Sequence, residues 1–131
     1  MSNFLLKTEN LTKSFKGEMV INNVSLSVKD SKIYGLLGVN GAGKSMILKM
    51  IIGMIKPTSG KIYFQDHEIN RSDLFKIGSL IENPALYNNL TAYENLKIYT
   101  ALLSIDEKRI TELLKIVGVS NTKHKLVSKF S

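Results

Sequence analysis

Cysteine is absent from the 131 residues, which excludes disulfides and thiolate metal sites and fits a reducing compartment. Stability must then come from packing. Long hydrophobic runs are missing too: the most apolar stretch, Met46 to Ile55, carries Lys49 and is about half the length needed to cross a bilayer. The opening MSNFLLKTEN lacks an extended apolar centre and a small-residue cleavage site, so no secretory signal is expected. Internal repeats and low-complexity segments are also absent. Charge is plentiful but not concentrated. Lys and Arg number 18 against 11 Asp and Glu, a net charge of +7 that favours polyanions such as nucleotides, nucleic acid or an anionic membrane face. The lysines are scattered, without a like-charged block or interleaved aromatics, so no specific nucleic-acid partner is expected. What remains is ordinary globular composition, 44% hydrophobic and 22% charged, for a soluble chain the size of one domain.

From Phe4 to Val28 two short runs, FLLKTENLTKSF and MVINNVSLSV, flank Lys16-Gly17 and read as antiparallel strands joined at a glycine turn. Val20, Val24, Leu26 and Val28 largely keep one parity, as a half-buried strand requires. KIYGLLG, Lys32 to Gly38, is apolar without alternation and predicts a strand covered on both faces, the kind found in parallel sheets. From Lys44 to Met54 a helix is predicted: Ile47, Leu48, Ile51, Ile52 and Ile55 recur at helical spacing, and Gly53 and Pro57 stop it. After the turn at Pro57 to Gly60, KIYF resumes an extended path, and IGSLI, Ile77 to Ile81, reads as another buried strand. Thr91 and Glu94 form a capping box for a helix with Tyr93, Leu96, Tyr99 and Leu103 on one face. A second helix follows, capped by Ser104 or Asp106, with Ile110, Leu113, Leu114 and Val117 buried and Gly118 at its end.

The chemistry lies in GLLGVNGAGKS, Gly35 to Ser45. Gly38, four further residues, then Gly43-Lys44-Ser45 match the phosphate-binding loop at every fixed position. Glycines let the backbone curl until successive N–H groups point into one hollow, and the helix start adds free amides and a positive dipole end. The cradle comprises Gly38, Val39, Asn40, Gly41, Ala42, Gly43, Lys44, Ser45 and Met46. Lys44 is expected to reach the β- and γ-phosphates of ATP, and the Ser45 hydroxyl to ligate Mg²⁺. A chance match in a chain this long has a probability on the order of a few in a thousand, taking average glycine usage. The strand-to-helix setting reduces it further.

These motifs, in this order, carry a family resemblance. LTKSFKGEMVINNVSLSV, GLLGVNGAGKSMILKMIIGMIKPTSGKI and IGSLIENPALYNNLTAYENL together resemble the front part of the ATP-binding domain of ABC transporters over nearly the whole chain. The resemblance implies an α/β P-loop NTPase with the ABC-type ATPase core: an antiparallel β subdomain plus a parallel sheet with helices, truncated before the signature motif. The β subdomain and P-loop core would occupy about 1–82 and the start of a helical subdomain about 83–131. Phe15 falls where an aromatic ring stacks on adenine, although its own context also suits a hairpin aromatic. Glu82 falls at the Q-loop position, where most members have glutamine. There it would approach Mg²⁺ and the attacking water, with a catalytic role alongside Lys44. Taken alone, Glu82 also reads as a solvated loop carboxylate. Glutamate there, with ENPALY, looks most like the subgroup that exports lantibiotics, bacitracin-type and related peptide antibiotics and confers immunity or resistance.

VSKFS resembles the run into the signature, with Ser131 as its first serine. The family's metal-binding aspartate, catalytic glutamate and switch histidine have no counterpart, and His67 and His124 are expected at the surface. The fragment is therefore expected to bind ATP without hydrolysing it. The full-length form would be an ATPase at the cytoplasmic face of the membrane, a peripheral homodimer or heterodimer of nucleotide-binding domains driving transmembrane permease subunits. ALLSIDE, Ala101 to Glu107, imitates the missing aspartate strand, but Ser104 interrupts it and its leucines continue the helical stripe from Tyr93. Were it a strand, a small self-contained P-loop kinase or NTPase would be the alternative. A non-catalytic regulatory module is a third reading.

Overall fold

In the computed structural model, residues 4–130 are described, and the chain forms two compact units, one ending at Asn83 and one beginning at Pro84. Ser131, the expected signature serine, lies outside the described residues.

The first unit is built around β1 (Phe4–Phe15), a strand long enough to serve two partners on one edge. β3 (Ser27–Lys29) pairs with its first half, Leu6 opposite Val28, and β2 (Glu18–Val24) with its second half, Phe15 opposite Glu18. On the other edge β4 (Ser59–Phe64) runs from Leu6–Phe64 to Thr12–Ser59, followed by β5 (His67–Glu68), and every pairing is antiparallel. The expected parity of the second run holds only in part, because a bulge sits between the Leu11–Val24 and Lys13–Ile21 pairs. The extra residue rotates the strand by one side-chain step, so Ile21 is buried and Val20 exposed. Two buried threonines satisfy the irregular backbone. Thr8 Oγ1 donates to the Val24 carbonyl at 3.0 Å and accepts from the Leu26 amide at 2.9 Å, while Thr12 Oγ1 accepts from the Asn23 amide at 3.1 Å.

α1 (Lys44–Ile51) lays Ile47, Met50 and Ile51 against Leu11, Ile21 and Ile62 of the sheet to make the core. Each such side chain contributes about 1.5–3 kcal/mol by leaving water. The helix ends at Ile51, short of the expected Met54 but just before the expected stop at Gly53. Gly53 adopts φ +74°, with its amide on the Met50 carbonyl and the Met54 amide on the Lys49 carbonyl, a closing pattern that needs a left-handed residue.

The two predicted buried strands do not form. Lys32 to Gly38 and Ile77 to Ile81 run outside the sheet, with Ile33, Leu37 and Leu80 at 102%, 93% and 74% exposure. A two-sided strand needs neighbours to take its amides and carbonyls, and among the described residues no strand flanks either segment. The antiparallel part of the expected α/β fold is therefore formed, and among the described residues no strands pair in parallel.

In the second unit, α2 (Ala92–Leu103) begins at Thr91, whose hydroxyl accepts from the Glu94 amide while the Glu94 carboxylate accepts from the Thr91 amide at 2.8 Å. Asn95, buried and polar, was not visible to a reading based on apolar period. Its Oδ1 accepts from the Tyr87 amide at 2.8 Å, and its Nδ2 donates to the Tyr87 and Thr91 carbonyls. α2 ends at a left-handed Ser104, and α3 (Lys108–Ile116) buries Ile110 and Leu114 but leaves Leu113 and Val117 exposed. Of the two expected caps for α3, Asp106 is the one that engages it, accepting from the Lys108 amide at 2.9 Å. ALLSIDE is thus a helix end joined to a helix start.

Candidate functional site

The loop from Gly38 to Gly43 enters α1 without a side-chain cap. Gly41 and Gly43 sit at φ +84° and +93°, and the Ala42 amide donates to the Val39 carbonyl at 3.1 Å, closing the bend. The first intrahelical bond runs from the Ile47 amide to the Gly43 carbonyl. Geometry therefore leaves the amides of Gly43, Lys44, Ser45 and Met46 without helical carbonyls. No acidic residue occupies the first turn of α1. Positive potential from the helix end is not neutralised locally, and the Lys44 ammonium adds to it. That ammonium folds across the loop and donates to the Gly38 and Val39 carbonyls, at 2.5 and 2.8 Å.

Gly43 is required twice over. Its left-handed φ is one a side chain rarely adopts, and a Cβ would stand 2.3 Å from Ile21 Cδ1. The β2 bulge turns Ile21 inward, so the packing of β2 directly limits what can stand at the loop's last glycine. The residues fit a polyphosphate: a bend lined by amides, a helix end without a competing carboxylate, and an ammonium beside them.

Phe15 closes β1, pairs with Glu18 across the hairpin and is 45% exposed. The Lys13 ammonium stands 4.8 Å from its ring centroid and donates to the Lys56 carbonyl at 2.7 Å. A half-exposed ring with a cation on it retains a π surface for a flat partner. Glu82 adopts φ +63°. Its Oε1 accepts from Lys49 Nζ at 2.8 Å, which links it to α1, the helix the loop opens. Lys49 was not singled out in the sequence, where 33 residues separate it from Glu82. Among the described residues no cluster of His, Cys, Asp and Glu could hold a metal by itself.

His67 lies at the surface but has a partner. Its Nε2 is 2.8 Å from Oδ2 of Asp73, a buried carboxylate that also accepts from the Asn70 amide and the Lys76 ammonium. Asp73 is held below the usual carboxylate range, first by the Asn70 backbone and then by His67 and Lys76. It was missed because its partners are backbone and turn residues rather than a motif.

A glycine bend delivering lysine and serine to a helix that packs on a β-sheet defines the P-loop class of nucleotide-binding proteins. Within that class the chain belongs to the ABC transporter family, whose sequence profile matches residues 21–131. It is 46% identical over 127 residues to the lantibiotic transport ATP-binding protein SrtF of Streptococcus pyogenes, covering 97% of this chain and 56% of that protein. It is 42% identical over 131 residues to the bacitracin transport ATP-binding protein BcrA of Bacillus licheniformis, covering 97% and 43%. The structure of cbiO1 from Clostridium perfringens, part of the ABC transporter complex cbiONQ, superposes with a TM-score of 0.81 at 25% identity, covering 99% of this chain and 57% of that one. The chain spans about half the length of the curated relatives it matches. No helix among the described residues is long and apolar enough to cross a membrane.

Proposed function

We propose that this chain is the nucleotide-holding portion of an ABC transporter ATP-binding subunit, whose full-length form couples ATP binding and hydrolysis to export of a lantibiotic or related antimicrobial peptide. The observation that carries the nucleotide assignment is the bend from Gly38 to Ser45, with helix-end amides that no helical carbonyl accepts, left-handed glycines and Lys44. The substrate class is supported by the likeness to transport proteins of lantibiotics and bacitracin.

In this reading the amides of the loop from Gly38 to Met46 hold phosphate oxygens, and Lys44 exchanges its two carbonyl partners for the β- and γ-phosphates. Phe15 stacks on the adenine. Ser45 and Glu82 would hold a Mg²⁺ ion that comes with the nucleotide, and the ion would neutralise phosphate charge. Glutamate brings a full negative charge toward the γ-phosphate where glutamine would not, which alters turnover. The unit ending at Asn83 supplies the β subdomain and P-loop core, and the unit beginning at Pro84 the start of the helical subdomain. Transmembrane permease subunits and a second nucleotide-binding domain are the partners of the full-length form, at the cytoplasmic face of the membrane. The self-contained kinase reading needs a strand at ALLSIDE, where α2 ends at Leu103 and a short connection leads to α3 at Lys108.

Titration of the chain with a fluorescent ATP analogue and Mg²⁺, beside Lys44→Ala, tests the assignment. Wild-type binding at least tenfold tighter than the variant is expected. A wild-type curve no stronger than the variant's rejects it.

A further inference from the structure

Lys13 is not accounted for by the phosphate-loop pattern, yet its side chain is held between the Phe15 ring and the segment that follows α1. The ammonium stands 4.8 Å from the ring centroid and donates to the Lys56 carbonyl at 2.7 Å. The segment carrying that carbonyl is itself fastened to β1. The Thr58 amide donates to the Thr12 carbonyl at 2.9 Å, and the Ser14 amide donates to Thr58 Oγ1 at 3.0 Å. Lys13 therefore has a fixed anchor, and one face of the ring carries a cation. The structure also sets this ring beside the phosphate loop. β2, which pairs Glu18 with Phe15, passes next to Gly43: a Cβ there would meet Ile21 Cδ1 and lie 3.5 Å from the Val20 carbonyl oxygen. Val20 and Glu18 are two residues apart, about 7 Å of extended strand. The hairpin end that carries Phe15 thus adjoins the bend that opens α1.

We propose that Lys13 is a positioning residue for the nucleobase: its ammonium holds one face of the Phe15 ring, and the base stacks on the other. The inference rests on the nucleotide reading above and adds to it a residue that acts at the base end of the ligand. A cation on one face draws π density toward itself, which leaves the opposite face less negative and a better surface for the π system of a purine. The same contact restrains a side chain that is 45% exposed, so less freedom is lost when a base arrives. The phosphates belong to the loop amides and Lys44. Lys13, engaged by the ring and the Lys56 carbonyl, contributes through Phe15.

Isothermal titration calorimetry with Mg²⁺–ATP and with Mg²⁺–tripolyphosphate, which keeps the phosphate chain and lacks the base, separates the two ends of the ligand. Lys13→Met should weaken ATP binding by about threefold or more and leave tripolyphosphate binding unchanged. Lys13→Arg keeps a cation over the ring and should bind ATP within about twofold of wild type. In a Phe15→Leu background, Lys13→Met should have no further effect on ATP. Unchanged ATP affinity in Lys13→Met overturns the proposal. Equal losses for ATP and tripolyphosphate overturn it as well, because the lysine then acts on the phosphates or on the fold. A loss that persists undiminished without the Phe15 ring removes the ring from the effect and overturns it too. Wild-type ATP binding no stronger than that of Lys44→Ala would remove the nucleotide reading itself and this inference with it, whereas the three preceding outcomes, with wild-type ATP binding intact, strike Lys13 alone.

Discussion

At the residue scale, two positions translate local geometry into measurable consequences. Gly43→Ala places a Cβ against Ile21 Cδ1 and forces a φ of +93° on a residue that resists it. The isoleucine terminus can shift, but the backbone strain remains at about 1–3 kcal/mol. Urea denaturation should show a loss of that order together with weaker nucleotide binding, and an unchanged midpoint would mean that the loop relaxes freely. Asp73 gives the pH dependence. Its carboxyl is held below the ordinary value near 4, so its contribution to stability is complete above that value and is lost as pH falls through the lower native one. Between about pH 5 and 2 the wild-type urea midpoint should drop more steeply than that of Asp73→Asn. Parallel profiles for the two proteins would show that the carboxylate's partners do not favour its charge.

At the element scale, the helix ends are where sequence and structure agree most closely. The Thr91–Glu94 capping box forms with both reciprocal bonds. Glu94 is held below the usual carboxylate range by the Thr91 amide first and its hydroxyl second. Thr91→Ala should cost about 1 kcal/mol and raise amide exchange in the first turn of α2, while Thr91→Ser should retain most of the stability. Equal exchange in the alanine variant would show that the Leu126 bridge and the Val127 amide on the Leu90 carbonyl suffice to hold this turn. The predicted stripes were broader than the buried faces observed. Tyr99 and Leu103 of α2, and Leu113 and Val117 of α3, keep substantial exposure. Periodicity identifies which side of a helix is apolar, whereas how much of it is covered depends on what packs there.

At the scale of the whole molecule, Ile33, Leu37, Val39 and Leu80 form apolar stretches that no strand or helix covers among the described residues. Exposed apolar segments with unpaired backbone associate with one another or with any complementary edge. The 131-residue chain by itself should therefore show concentration-dependent association in sedimentation velocity. A monomer with a sharp, concentration-independent melt would contradict this.

The amino-acid sequence by itself determined the features that depend on near neighbours: the glycine bend and its lysine, the start and stop of α1, the Thr91 cap, and the hairpin at Lys16-Gly17. Each is settled within a few residues by allowed φ values, by free helix-end amides or by a turn. Tertiary structure alone decided the inward turn of Ile21, the burial of Asn95 and Asp73, and the bond from Lys49 to Glu82. These depend on bulges and polar partners that no local period encodes. The same division explains the segments at Lys32 to Gly38 and Ile77 to Ile81. Their composition suits a buried strand, but a strand exists only when a neighbouring backbone completes its hydrogen bonds, and that is a property of the assembled sheet rather than of the segment.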